Sequence, residues 1–125
     1  MPKIGLSADD FRALALGLPG ATEGVHQGHP DFRLRGKVFA TLGYPDDSFG
    51  MVKLAREEQA RRVRQLPGIF SPAKGQWGLQ GSTLVRLEAV SAAQATLALQ
   101  SAWSELARAE SEAESRAKAP KGKRR

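Results

Sequence analysis

Apolar positions recur along this chain in two periods, and the switches between them mark its elements. From residue 7 the stretch SADDFRALALGL places Phe11, Leu14, Ala15 and Leu18 at i, i+3, i+4 and i+7, the single stripe of an amphipathic helix. Ser7 is a capping serine with Asp10 three residues on, and Asp9 and Asp10 suit the positive end of the helix dipole. Pro19-Gly20 stops the helix. The period then becomes two. Strands are expected over residues 22–28, 31–35 and 37–42. Loop length decides which side chains of the second hairpin share a face. A three-residue loop, Arg35-Gly36-Lys37, groups Phe32, Leu34, Val38, Ala40 and Leu42 and sends Arg33, Phe39 and Thr41 to the other side. A two-residue loop would put Phe39 with the core set. The first segregates apolar from polar better and is the expectation.

Tyr44-Pro45-Asp46-Asp47 reads as a turn, residues 48–54 as a strand, and 55–66 as a helix with a narrow stripe of Ala60, Val63 and Leu66. Glu57–Arg61 and Glu58–Arg62 are i,i+4 pairs in the favourable order. After Pro67-Gly68, residues 69–75 read as a loop. The glycines of Gly75, Gly78 and Gly81 suggest turns or bulges around a short strand, and residues 83–87 form a further strand. Ser91 and Gln94 make a second capping box, ahead of a helix whose stripe is Leu99, Ala102, Trp103 and Leu106. Its polar end, EAESRAK, is expected to fray. The order of elements predicts an α+β domain with a mostly antiparallel sheet. No internal repeat is evident.

Charge changes the picture at one place. Of 19 basic residues, six lie between Arg116 and Arg125, whereas all 13 acidic residues precede residue 115, so the first 115 residues are balanced. The domain is expected to span 1–110, with 111–125 a charged, disordered basic tail able to bind polyanions through counterion release. Cysteine is absent, which excludes a disulfide scaffold, a zinc–thiolate site and a thiol nucleophile. No apolar run suits a signal peptide or a membrane span, and a cytoplasmic location with no membrane partner is expected.

Candidate chemistry centres on GHPDFRLRGKVFATL, residues 28–42. His26 and His29 point to opposite faces of an extended chain, so one metal could not hold both unless the chain turned at Gly28. Glu23, His26, His29 and Asp31 match no strong metal spacing, and neither a metal nor another cofactor is expected. A His29–Asp31 acid–base pair lacks an activated nucleophile, because Ser48, Ser71 and Ser82 sit in no nucleophile elbow; the chain is not expected to be an enzyme. The Gly75–Gly78–Gly81 run fails the phosphate-loop pattern, since Lys74 precedes it. Arg33, Arg35 and Lys37 in one hairpin, with Lys53, Lys74 and Arg86, could instead form a basic ribbon beside Trp77, which could stack on a base.

The run FRALALGLPGATEGVHQGHPDFRLRGKVFATL, then VKLAREEQARRV, PGIFSPAKGQWGLQGSTLVRL and ALQSAWSELA, resembles the MmcQ/YjbR family over residues 7–108. The combination G-H-P-D-F-R-x-x-G-K-x-F-A with K-G-x-W-G carries the likeness. It implies a fold like that of bacterial frataxin (CyaY), with N- and C-terminal helices packed on one face of the sheet. It also implies a DNA-binding role through a double wing of hairpins, which here would be residues 33–38 and 74–86. The positions carried over are His29, Asp31, Arg33, Gly36, Lys37, Lys74, Gly75, Trp77 and Gly78. Iron handling, the other property of the frataxin fold, is not expected, because Asp9 and Asp10 are explained by the cap.

The leading expectation is therefore a weak, electrostatic nucleic-acid-binding or regulatory accessory protein using Arg33, Arg35, Lys37, Lys74, Trp77 and Arg86. The alternative is a module that binds a small molecule or a protein in a pocket near His29, Asp31, Lys74 and Trp77.

Overall fold

A computed structural model describes residues 4–118. Helix α1 (Ala8–Leu16) begins at the Ser7 capping box: the Asp10 backbone N–H donates to Ser7 Oγ, and the Ser7 backbone N–H donates to Asp10 Oδ2, each at 3.0 Å. A meander of β1 (Ala21–His26), β2 (His29–Leu34) and β3 (Lys37–Leu42) follows, then β4 (Phe49–Lys53), α2 (Arg56–Gln65), β5 (Phe70–Pro72), α3 (Gly75–Leu79), β6 (Ser82–Arg86) and α4 (Ala92–Lys118). The six strands form one antiparallel sheet in the order β1-β2-β3-β4-β6-β5. The α+β class with both terminal helices on one face is as expected: α1 and α4 bury Phe11, Ala15, Ala95, Ala98, Leu99 and Ala102 against Phe32, Ala40, Leu42, Val52 and Val85. Phe11 sits directly over β4, where a Cβ at Gly50 would lie 2.9 Å from its ring.

The hairpins depart from expectation in an instructive way. Both turns of the meander have two residues, Gln27-Gly28 and Arg35-Gly36, and all four have positive φ (52°, 82°, 55° and 83°), the signature of turns whose twist matches the strands they join. Leu34 therefore pairs with Lys37 and Arg33 with Val38, not as in the three-residue loop. A bulge between Phe32 and Arg33 of the ladder then inserts Phe39 as an extra residue, so Phe32 pairs with Ala40 and Asp31 with Thr41. Both loop lengths were partly right about the core. Ala40 and Leu42 face the helices, and so does Phe39, which is fully buried.

Three more elements differ. The buried residue of α2 is Gln59, one position before the expected Ala60, which is exposed; Arg61 pairs with Glu58, not Glu57. The expected loop 69–75 contains β5, and Gly75 opens the short helix α3. Its glycines serve close approach: a Cβ at Gly78 would fall 1.8 Å from the Ala73 carbonyl oxygen, and one at Gly81 1.9 Å from that of Leu54. Gln59 locks this corner, since its Nε2 donates to the carbonyls of Gly78 and Ser82, each at 3.0 Å. Finally, α4 does not fray at residue 112 but continues to Lys118; residues 119–125 of the expected tail lie outside the described residues. Trp103 is only half-buried on the core stripe, with Nε1 donating to the Pro19 carbonyl. No helix among the described residues is long and apolar enough to cross a membrane.

Candidate functional site

Strand alternation that sends Phe32, Val52 and Val85 toward α1 and α4 sends their neighbours to the opposite side. There, Asp31, Thr41 and Met51 form one cross-strand row, and Arg33 pairs with Val38 in the next. Lys53 and Ser82 pair on β4 and β6. These side chains floor a pocket of 610 Å³. One wall is the β1–β2 hairpin, where His26 and His29 flank the turn and are cross-strand partners. The turn at Gln27-Gly28 thus removes the geometric objection to their facing the same way. No group of three or more His, Asp or Glu side chains suited to a metal exists among the described residues. The opposite wall is α3, whose Trp77 is half exposed and meets Tyr44 edge to face at 6.0 Å.

Asp31 is the fixed point of the site. It is 1% exposed, and Arg33 holds it in a fork: Nε donates to Oδ1 at 2.7 Å and Nη2 to Oδ2 at 3.0 Å. A buried carboxylate needs such pairing, because an unpaired one pays a large desolvation penalty. The hydrogen bond that Arg33 donates to Asp31, and then the charge of Asp31, raise the Arg33 pKa above its ordinary value. Residues 31 and 33 sit on the same side of one strand, but they can pair only if the guanidinium lies down across β1. Gly24, the cross-strand partner of Asp31, permits this; a Cβ there would lie 2.7 Å from Arg33 Cζ. Next to Asp31, the buried Oγ1 of Thr41 has no hydrogen-bond partner. Within the pocket no described serine or threonine hydroxyl bonds a histidine.

The sequence-derived residues divide. His29, Asp31, Arg33 and Trp77 come together in the pocket. Arg35 is at a hairpin tip, where it pairs with Glu114 of α4 at 3.3 Å; Lys37 neighbours that tip. Arg86 lies over the Phe49 ring at 5.2 Å and 3.7 Å from Glu88, and Lys74 is the residue preceding α3; neither lines the pocket. Sequence reasoning missed Thr41, Tyr44, Met51 and Gln80. Thr41 could have been found by counting across from Asp31, had the bulge been known.

A model of the YjbR family matches residues 16–105 of the chain. The crystal structure of Deinococcus radiodurans protein DR2400, described with a DUF419 domain, is similar with a TM-score of 0.68 at 16% identity, covering 82% of this chain and 80% of that one. No curated protein matches the chain significantly.

Proposed function

We propose that this chain, which belongs to the YjbR family, is a binding module that takes a small anionic molecule in the pocket on the side of its sheet away from α1 and α4. The observation that carries this reading is the charge inventory of the pocket. Asp31 is the sole carboxylate among the described residues of the lining, and Arg33 already occupies both its oxygens. Lys53 has no ion pair among the described residues, and His26 and His29 add ring N–H donors at the other end of the lining. An anion supplies the missing counter-charge, Thr41 Oγ1 offers it an unused hydroxyl, and Trp77 with Tyr44 offers a planar edge. A pocket of this volume falls in the range that small ligands fill.

The nucleic-acid reading has less support, because Arg33, Arg35 and Arg86, three of its six residues, spend their charge on Asp31, Glu114 and Glu88. The test is a titration of the full chain with small carboxylates and phosphates at about 0.15 M salt, read by amide chemical shifts. Shifts at Thr41, Lys53 and Trp77 that disappear in Lys53→Glu are expected. If small anions move none of these amides, and an oligonucleotide binds until Arg35→Ala and Lys37→Ala remove it, the pocket reading fails and the hairpin reading replaces it.

A further inference from the structure

Lys53 lies at the end of the pocket floor away from His29. A second cavity of 1250 Å³ lies on the helix-covered side, between α4, α2 and α3, where Phe39, Ala102, Leu106 and Ala109 give it apolar walls. Val38, Lys53 and Gln80 line both cavities. The ladder explains why two sides of one sheet meet. Pairing of β3 with β4 stops at Ala40 and Val52. Beyond it, the bulge turns Phe39 toward α4 and leaves Val38 at the gap, while β4 departs through Lys53 and Leu54 toward α2. A notch in the sheet results, with the unpaired Lys53 ammonium beside it. On the far side Leu79 is 66% exposed at the rim of the apolar cavity.

We propose that the ligand is amphipathic: an acidic head group bound by Lys53 above the Thr41 row, carrying an unbranched apolar chain that passes through the notch and lies along Phe39, Leu79 and Leu106. This inference rests on the anion-binding reading above. Two features select the chain over a compact anion. The polar cavity adjoins the mostly apolar one at Val38, Lys53 and Gln80, which belong to both linings. Leu79 is a large apolar side chain left in water, which a chain lying across it would cover. Each methylene withdrawn from water contributes about three- to fourfold in affinity.

The experiment is a titration of the full chain with two series, saturated carboxylates from acetate to decanoate and alkyl phosphates of the same lengths, read by amide shifts and calorimetry. Affinity is expected to rise about three- to fourfold per methylene until the groove is filled, and whichever series binds tighter identifies the head group. Leu79→Glu, at an exposed position that folding does not depend on, is expected to flatten the length dependence while short anions still shift Thr41 and Lys53. Equal affinity at every length overturns the chain and leaves the anion reading standing. Length dependence that survives both Leu79→Glu and Lys53→Glu shows uptake elsewhere and also overturns it. Absence of binding at any length ends both readings.

Discussion

One sheet shows two faces built from alternate residues of the same strands, and they differ less in burial than in completeness. Asp31 on one face and Phe39 on the other are each 1% exposed. The helix-covered face is finished by its own packing: Phe11 meets Phe32 with ring centroids 6.3 Å apart, and Val52, Val85 and Leu99 close around them. The other face satisfies Asp31 through Arg33 but leaves a buried hydroxyl at Thr41, an unpaired Lys53 and a half-exposed Trp77. A face that completes itself serves stability. A face with unspent hydrogen-bonding and charge capacity is where a second molecule gains most, since buried polar groups are costly to leave unsatisfied.

Mutations can break or sharpen this contrast. Phe32→Ala, at a fully buried ring on the helix side, is expected to cost about 3–5 kcal/mol in denaturant unfolding. Gln59→Ala strips the donors from the carbonyls of Gly78 and Ser82; a loss of about 1–3 kcal/mol is expected, with a changed Trp77 emission because α3 loses its anchor. Asp31→Asn probes whether the pocket floor also stabilises. A loss of about 1–2 kcal/mol, reduced when Arg33→Ala is already present, would show that it does; no loss would mean the fork is ligand machinery alone.

A smaller effect depends on pH. Burial raises the pKa of Glu58, but hydrogen bonds from Arg61 and Arg62 and their charges outweigh it, and the net pKa falls below the ordinary 4.5. The contribution is therefore complete above about pH 4.5 and is lost as pH falls through the lower folded-state value. Glu58 and Arg62 also meet Ser101 of α4 at 3.3 Å, so α2 should loosen from α4 in acid. Urea midpoints measured from pH 6 to 3 should decline less steeply in Glu58→Gln. Smallest of all, Lys53→Ala should change stability by less than about 0.5 kcal/mol while weakening anion binding; a large stability loss there would contradict the division of labour between the faces.

Much of the helix-covered face was legible in the sequence. The stripes Phe11–Leu18 and Leu99–Leu106 follow the helical period, and both capping boxes carry their signature residues; Gln94 Oε1 does accept from the Ser91 backbone N–H. The pocket was legible only in pieces, because three non-periodic features assemble it. Gln27-Gly28 and Arg35-Gly36 make the tight turns usually announced by Asn-Gly or Asp-Gly, and glutamine and arginine give no such signal. The bulge at Phe39 inverts the parity from which a face is counted. Helix α3 carries two glycines in five residues, so propensity argues against it; tertiary close approach to Ala73 and a bond from Gln59 decide it instead.

Strand order has a consequence for how the pocket comes into being. The meander β1–β3 closes through two-residue turns, whereas β6 lies between β4 and β5 and pairs Phe49 with Arg86 across α2, β5 and α3. Local pairings form quickly and distant ones slowly. The pocket straddles that seam: His26, Asp31 and Arg33 belong to the quick half, and Trp77 and Ser82 to the slow one. A ligand taken up as proposed would act as a rivet across the seam, and on its addition hydrogen exchange should slow most along β4 and β6, with little change in the meander.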